Sequence, residues 1–243
     1  MRKFLINEHE LDLYLDKIFM PPTDDECYCV MLGARRKYLT PEEQESIRLG
    51  GADMLRRVII HRKDQVKSVV KELEGGIYLD RDGNEIPNHA FTVYITENPR
   101  SHRKAARKLI HELTDRIFED QKFSLDSLAK TALHKSPSRK LYLDFDFDFD
   151  PSVPKDTHEL MMDRTKEVLQ NSHYEIVMTK NGFHVLLFIG GIDEQVKKTF
   201  YNDMKNLSLE FTGDVEVKND AMCPLPGCAQ GGSYPHMIIK DYA

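Results

Sequence analysis

The chain has 243 residues, of which 40% are hydrophobic and 30% are charged, as in globular proteins with a sizeable core. Its 40 acidic and 34 basic residues give a formal net charge of -6, which disfavours a nucleic-acid partner unless basic residues are clustered. No apolar run is long enough to span a bilayer, and the first residues become polar too early for a signal peptide, so we expect a cytoplasmic protein without a membrane partner.

Residues 1–135 form a first region of mixed helical and extended patterns. The patterns predict a strand over 28–32, helical structure over about 42–73 with an interruption at Gly50 and Gly51, a hairpin over 77–87, a strand over 91–96 and a basic helix. One face of that helix carries Arg100, Arg103, Lys104, Arg107 and Lys108, and the connector 134–140 adds Arg139 and Lys140. These residues can bind nucleic-acid phosphates, although a solvated helix face and a polar linker explain them equally well.

The second region, residues 136–243, begins with the most informative run of the chain. Residues 141–150 alternate strictly between apolar and polar side chains, which is the period of a β-strand. One face carries five Leu and Phe residues, and the other carries Tyr142 and the aspartates Asp144, Asp146, Asp148 and Asp150. A row of carboxylates repels itself unless a cation such as Mg²⁺ or Mn²⁺ lies over it. The alternative is an edge strand whose charges face water, but we favour a metal site.

The elements that follow predict where this strand lies. A helix from Asp156 to about residue 171, a strand over 174–178, a tight turn at 180–182, a strand over 183–189, a helix from Asp193 and a strand over 211–218 complete a βαββαβ order. This order is typical of the ferredoxin-like, or RRM-like, sheet, in which the first strand lies between the third and the fourth. We therefore expect an α/β (α+β) fold, with the palm in residues 136–243 and an N-terminal α/β module in residues 1–135 packed on it.

The same geometry predicts a shared polar face. Asp144 and Asp146 would lie beside His184 on the third strand and beside three residues of the fourth strand, Asp214, Glu216 and Lys218. Two carboxylates at i and i+2, with a third acid from a neighbouring strand, can hold two divalent ions about 3.5–4 Å apart, as in-line phosphoryl transfer requires. The turn from Thr179 to His184 adds a hydroxyl, an ammonium, backbone N–H groups and an imidazole, all of which can bind a triphosphate.

Three motifs in this region resemble those of archaeo-eukaryotic primases and primase-polymerases. Leu-Tyr-Leu-Asp144-Phe-Asp146 is similar to their first motif, Thr179-Lys-Asn-Gly-Phe-His184 to their second, and the acidic strand at 214–220, with the Pro- and Gly-containing loop after it, to their third. The stretch from Cys29 to Tyr38 also resembles small CRISPR-associated primase-polymerases. The match covers about residues 140–235, and its order agrees with the fold expected from the patterns.

The resemblance implies a template-dependent nucleotidyltransferase that makes and extends primers on single-stranded DNA. Asp144 and Asp146 would bind two Mg²⁺ or Mn²⁺ ions, with Glu216 as the third acid and Asp214 and Asp220 as its rivals. The triphosphate of the incoming nucleotide would contact Thr179, Lys180, Asn181, Gly182, His184 and Lys218. Asp148 and Asp150 extend the acidic row beyond this motif; we expect them to be solvated spectators, and the alternative is that they help to hold the metals. Template and primer, nucleoside triphosphates, and a helicase or CRISPR-adaptation proteins would be the partners.

Two other functions stay open at this point. A metal-dependent nuclease uses the same acids, since two-metal sites cut as readily as they join. A noncatalytic RRM-like nucleic-acid-binding domain needs aromatic residues on its open face, where this chain has aspartates. The four cysteines, Cys27, Cys29, Cys223 and Cys228, lack zinc-knuckle spacing, so we expect reduced, partly buried thiols.

Overall fold

The alternating strand patterns of the sequence form two antiparallel β-sheets in a mixed α+β fold. The computed structural model describes residues 3–150, 152–210, 213–218 and 222–238, without the side chains of residues 52, 155, 208 and 213–218. The strands are β1 (Glu26–Arg35), β2 (Ala52–Ile60), β3 (Phe91–Thr96), β4 (Arg100–Ser101), β5 (Tyr142–Phe149), β6 (Tyr174–Met178), β7 (Gly182–Phe188), β8 (Gly213–Lys218), β9 (Met222–Pro224) and β10 (His236–Ile238). The α-helices are α1 (Glu8–Ile18), α2 (Pro41–Ser46), α3 (Gln65–Glu74), α4 (His102–Phe118), α5 (Leu125–His134), α6 (Lys155–Leu169) and α7 (Phe200–Asn206).

The second sheet has the strand order β10-β6-β7-β5-β8. The expected position of the acidic strand is therefore confirmed, because β5 lies between β7 and β8. The apolar face of this sheet packs against α6 and α7 through a core that includes Phe145, Phe147, Phe183, Phe200 and Met204. That packing leaves the opposite, acidic face of β5 directed away from the two helices.

The first sheet has the order β2-β1-β3-β9, and β4 pairs with β1. Its core is continuous with the second sheet, since Tyr142, Val177 and Leu186 belong to the same buried cluster as Tyr14 and Ile95. The acidic face of the second sheet is thus covered in part by the first sheet.

Residues 222–238 contribute one strand to each of the two sheets. Cys223 of β9 pairs with Ile95 of β3 in the first sheet, whereas β10 pairs with β6 in the second. Between them, the carbonyl of Gly227 accepts hydrogen bonds from the backbone N–H groups of Ile6 and Asn7 at 2.8 and 2.9 Å. The second sequence region therefore contributes a strand to the first sheet, so the two sheets do not correspond to separate stretches of chain.

A buried asparagine fixes the beginning of β5. The Oδ1 atom of Asn98 accepts hydrogen bonds from the backbone N–H groups of Leu141 and Tyr142 at 2.7 and 2.9 Å. Its Nδ2 atom donates to the carbonyl oxygen of Tyr142 at 3.0 Å. Asn98 is 2% exposed, so these bonds satisfy its polar atoms inside the protein and tie the start of β5 to the end of β3.

The helix predicted over 42–73 is wrong in its middle part. The structure has a short helix α2, the strand β2 and the helix α3 in that range. Gly50 and Gly51 end the helical pattern, and the β-branched residues near Ile60 favour a strand that pairs with β1 along most of its length. The predicted helix after Asp193 becomes α-helical only at Phe200, since residues 194–199 form turns.

We predict that Gly182→Ala destabilises the fold. A Cβ atom at this position would lie 1.8 Å from the carbonyl oxygen of Phe147 on β5, so the β5–β7 pairing must shift. The free energy of unfolding, measured by urea denaturation, should fall by about 1–3 kcal/mol or more. Gly51→Ala is the matched control, because a Cβ there meets nothing within 4 Å, and its effect should stay within about 0.5 kcal/mol. Equal stability of the two variants would contradict the close approach of these strands.

Candidate metal and nucleotide site

The register of the second sheet places the predicted site residues side by side. Asp146 lies directly opposite His184 on β7 and opposite Glu216 on β8. Asp144 is opposite Lys218, and Asp148 is opposite Asp214. The expected adjacency of the three strands at these residues is thus confirmed. The side chains of Asp214, Glu216 and Lys218, and the whole of Asp220, lie outside the described part of the chain.

The aspartates of β5 differ in their depth below the surface. Asp144 is fully buried, Asp146 is 6% exposed and Asp148 is exposed. The Nδ1 atom of His184 lies 2.9 Å from both carboxylate oxygens of Asp144. Because an ionised carboxylate only accepts hydrogen bonds, we assign the proton of this contact to Nδ1. The Nε2 atom of the same ring lies 3.3 Å from Oδ1 of Asp146, so the imidazole bridges the first two acids of the row.

A cavity of about 400 Å³ opens beside this row, between the two sheets. The second sheet lines it with Asp146, Asp148, Thr179 and His184. The first sheet and the segment after it line it with Gly33, Arg35, Lys37, Tyr38, Asp53, Met54 and Tyr94, and the returning segment adds Met222, Pro224 and Gln230. The carboxylates at the cavity are therefore those of Asp146 and Asp148, whereas Asp144 lies behind His184. Asp148, expected to be a spectator, is part of the cavity wall.

Cationic and phenolic groups face these carboxylates across the cavity. Arg35 donates from Nη1 to the hydroxyl of Tyr94 at 3.0 Å, and its buried Nε has no hydrogen-bond partner among the described residues. Burial opposes the charge of Arg35, but Tyr94, Tyr38 and Asp148 together raise its pKa, so the guanidinium stays protonated. Burial, with a smaller effect of Tyr94, raises the pKa of Tyr38 to about 12, so this phenol stays neutral. The carboxylates of the second sheet thus face a wall that carries Arg35 and Lys37 beside Asp53.

The turn before β7 contributes less to the cavity than the sequence predicted. Thr179 lines it, but Lys180 instead binds the returning segment: its Nζ donates to the carbonyl of Gly231 at 2.6 Å and lies 4.9 Å from the centre of the Tyr38 ring. The carbonyl of Asn181 accepts a hydrogen bond from the N–H of Phe149 at 2.9 Å. Among the described side chains of the predicted nucleotide-binding set, those of Thr179 and His184 line the cavity.

The structure contradicts one residue of the predicted nucleic-acid-binding face. Arg100 does not lie on the helix: it is fully buried in β4, where its backbone pairs with Cys27. The helix begins only at His102, so the face predicted from helical periodicity began two residues too early. Arg103, Lys104 and Arg107 are exposed on α4, and Lys108 is half-buried there.

The basic connector is held by contacts within the protein. Arg139 donates from Nε and Nη2 to the two carboxylate oxygens of Glu26, at 2.9 and 2.8 Å. Lys104 donates from Nζ to the carbonyl oxygen of Pro137 at 2.8 Å. Arg139 therefore has a structural partner. Lys140 is exposed, and its predicted contact with nucleic acid stays a prediction.

Several residues around the site could not be recognised from sequence periodicity. Asp53 and Tyr94 reach the cavity from the first sheet, and Gln230 reaches it from the returning segment. Buried Glu97 and Cys223 lie next to His184, so that one ligand atom of each residue is within 4.8 Å of the others. No sequence signal marks Glu97, because Glu-Asn-Pro directly after a strand is typical of an exposed turn.

The oxygen donors at the cavity fit hard divalent cations. Asp146 and Asp148 are spaced i and i+2 on one strand, and Asp214 and Glu216 occupy the adjacent positions of β8. Mg²⁺ and Mn²⁺ prefer such carboxylate oxygens together with water and phosphate oxygens. The residues present therefore suit these ions at the outer part of the acidic row.

Comparison of the chain with protein-family models, curated proteins and solved structures finds no significant match. None of the helices in the described ranges has the length and apolar composition that a membrane span requires. What the protein does is therefore inferred from its own residues.

The Glu26–Arg139 contact predicts an acid-sensitive contribution to stability. Burial favours the neutral acid, but hydrogen bonds from Ser138, Thr23 and Arg139 outweigh it and lower the pKa of Glu26 from 4.5 to about 2. Because the pKa is lower in the folded state, the contribution is complete above pH 4.5 and is lost as the pH falls towards 2. At about 1.4 kcal/mol per pKa unit, it amounts to roughly 3 kcal/mol.

The measurement is the free energy of unfolding across this pH range. Wild type should lose stability more steeply between pH 4.5 and 2 than Glu26→Gln. Glu45→Gln, a change at an exposed glutamate of α2, serves as control and should follow wild type. Identical pH profiles for wild type and Glu26→Gln would refute this role of Glu26.

Proposed function

We propose that this chain is a metal-dependent, template-directed nucleotidyltransferase of the primase-polymerase type. The observation that carries the proposal is the two-sided cavity, with Asp146, Asp148 and His184 on one wall and Arg35 and Lys37, beside Asp53, on the other. A nucleoside triphosphate with divalent cations has the complementary charges, since its phosphates need cations and its cations need carboxylates. A volume of about 400 Å³ is also within the range of small-molecule sites.

The acidic wall accounts for the metal requirement. Asp146 and Asp148, with Glu216 or Asp214 from β8, would hold Mg²⁺ or Mn²⁺ ions, which lower the charge barrier for attack of a 3′-hydroxyl on the α-phosphate and for departure of pyrophosphate. The attacking hydroxyl belongs to a primer end in extension and to a second nucleotide in initiation. The carboxylates themselves form no covalent bond; they position the reacting groups and balance charge.

The cationic wall accounts for triphosphate binding. Arg35 has a buried Nε–H without a hydrogen-bond partner among the described residues, which a phosphate oxygen would satisfy. The exposed Lys37 lies on the same wall. These residues come from the stretch at 29–38, so the N-terminal module would supply part of the nucleotide site.

The buried Asp144 would act through His184. Its two oxygens hold Nδ1, which fixes the orientation of the ring and leaves Nε2 directed towards Asp146 beside the cavity. Asp144 is in this proposal a positioning residue, and the metal ligands of the first motif are shifted by two residues towards Asp148. This differs from the assignment that the resemblance implied, in which Asp144 and Asp146 bind the metals.

The remaining features are compatible with a template-dependent enzyme. The order β8-β5-β7-β6 with α6 and α7 on one face supports an RRM-like palm. Exposed Arg103 and Arg107 on α4 offer phosphate contacts for single-stranded DNA. Tyr38 beside the cavity offers an aromatic surface on which a base can stack.

The first experiment measures synthesis on single-stranded DNA. The protein is incubated with primed or unprimed template, labelled nucleotides, and Mg²⁺ or Mn²⁺. We expect template-dependent labelled products, and a loss of about a hundredfold or more in Asp146→Asn and in Asp148→Asn. Asp150→Asn is the matched control, because Asp150 continues the acidic row but is exposed and hydrogen-bonded to Ser152 instead of lining the cavity.

The other outcomes separate the alternatives. Degradation of the DNA without synthesis, abolished by Asp146→Asn, would identify a metal-dependent nuclease. Binding of nucleic acid with neither synthesis nor cleavage would identify a noncatalytic binding domain. Equal losses in Asp148→Asn and Asp150→Asn would contradict the assignment of the metal site to the cavity.

A second experiment tests the cationic wall. Lys37→Ala should raise the KM for the incoming nucleotide about tenfold, which corresponds to about 1.4 kcal/mol, with a smaller change in kcat. The reason is that a phosphate contact made equally in the ground and transition states affects binding more than chemistry. The control is Lys63→Ala. This change removes an exposed lysine that pairs with Asp16 and does not line the cavity. An unchanged KM in Lys37→Ala would exclude a triphosphate at this wall.

A further inference from the structure

We infer that Glu97, His184 and Cys223 form a buried zinc-binding site behind the cavity. One carboxylate oxygen, one ring nitrogen and the sulfur of these residues lie within 4.8 Å of one another. Glu97 directly follows β3, Cys223 lies on the neighbouring strand β9, and His184 comes from β7 of the other sheet. The site does not depend on the proposed nucleotidyl transfer, since two of its three ligands lie outside the carboxylate row.

The donor set favours zinc over the ions expected at Asp146 and Asp148. Zinc is bound by thiolate, imidazole and carboxylate, at about 2.3 Å for sulfur and about 2.0–2.2 Å for nitrogen and oxygen. Tetrahedral geometry then places the donors roughly 3.3–3.8 Å apart, so a contraction of about 1 Å brings these three groups into coordination. Mg²⁺ selects oxygen donors and disfavours a thiolate.

A buried hydroxyl at the same place is an independent indication of a ligand. Tyr14 of α1 is 1% exposed, and its hydroxyl has no hydrogen-bond partner among the residues that the structure describes. Tyr14 and Cys223 belong to the same buried cluster, so this hydroxyl lies in the part of the core that contains the proposed ligands. An unsatisfied hydroxyl in the interior is costly. A zinc ion, or a water molecule bound to it, supplies the missing partner.

The surroundings of His184 match those of a metal-bound histidine. Such a histidine usually donates its second ring nitrogen to a carboxylate. Here both nitrogens face one: Nδ1 is 2.9 Å from Asp144, and Nε2 is 3.3 Å from Asp146. Because Nδ1 donates its proton to Asp144, Nε2 would bind the ion while Nδ1 keeps its carboxylate partner. The thiol of Cys223, whose sulfur lies 3.4 Å from the carbonyl oxygen of Pro224, would lose its proton on binding.

A zinc ion at this place would cross-link the two sheets. Cys223 lies on β9 of the first sheet, and Glu97 directly follows β3 of the same sheet. His184 lies on β7 of the second sheet. The ligands are 0–4% exposed, so the ion would be shielded from solvent, and of the three ligands it is His184 that lines the cavity. Its role is therefore structural, to hold the walls of the cavity at a fixed separation.

The test uses the intact chain loaded with zinc, or with cobalt as a spectroscopic probe. We expect one tightly held zinc per chain in elemental analysis after excess metal is removed. Cobalt should give a thiolate-to-metal charge-transfer band in the near ultraviolet. Cys223→Ser should abolish the band, and Glu97→Gln should weaken zinc binding at least tenfold. Cys228→Ser is the matched control, because Cys228 is an equally buried cysteine outside the group, and it should retain both signals.

The outcomes distinguish this site from the proposed catalytic one. Zinc that is retained in Asp148→Asn, which removes a cavity carboxylate other than the two that contact His184, supports a separate site, and zinc that is lost there overturns it. A charge-transfer band that persists in Cys223→Ser, or wild-type protein without zinc or band, also overturns it. Absence of DNA synthesis with the band present would instead contradict the proposed function alone. Circular dichroism shows whether Cys223→Ser folds. If it does not, the zinc affinity of Glu97→Gln, a substitution that keeps the size and shape of the side chain, decides whether the site exists.

Discussion

The structure depends on how the acidic face of β5 is accommodated. Asp144 is excluded from water, and Asp146 is nearly so. A buried carboxylate is costly unless a hydrogen bond or a positive charge compensates it, and here His184 contacts both acids. Further along the strand the compensation comes from the opposite sheet, through Arg35 and Lys37 across the cavity. Opposite charges across the cavity therefore hold the two sheets together, in addition to their shared apolar core.

The path of the chain explains how residues so far apart in sequence form one site. Residues 222–238 leave the second sheet, add a strand to the first and return to pair with β6. The walls of the cavity, and the group formed by Glu97, His184 and Cys223, consequently combine both halves of the chain. Neither half alone encloses the cavity, which fits a single unit better than two independent domains.

Periodicity and the order of elements were sufficient to predict the position of the acidic strand. Features that depend on contacts between residues distant in sequence were missed. The period of two in residues 141–150 and the βαββαβ order were sufficient for the central position of β5 and for the adjacency of Asp146 and His184. Strand β2 was missed because its pairing with β1 outweighs a locally helical pattern. Arg100 was misplaced because its pairing with β1 delays the start of the helix until His102, and Glu97 comes near Cys223 through the pairing of β3 with β9. The greater burial of Asp144 relative to Asp148 follows from the covering sheet, which a single strand pattern does not contain.

The contacts of Asn98 have a consequence for how this strand finds its partners. Because Phe and Asp repeat every two residues, sliding β5 by two positions would keep every aspartate on the acidic face and every phenylalanine in the core. Several pairing registers of β5 with its neighbouring strands are therefore compatible with the repeat, and side-chain polarity does not distinguish between them. Selection must come from positions outside the repeat: Asn98 binds the backbone at Leu141 and Tyr142, and Gly182 admits the carbonyl of Phe147 where a side chain would not fit. Two residues without any charge thus determine which aspartate occupies which place.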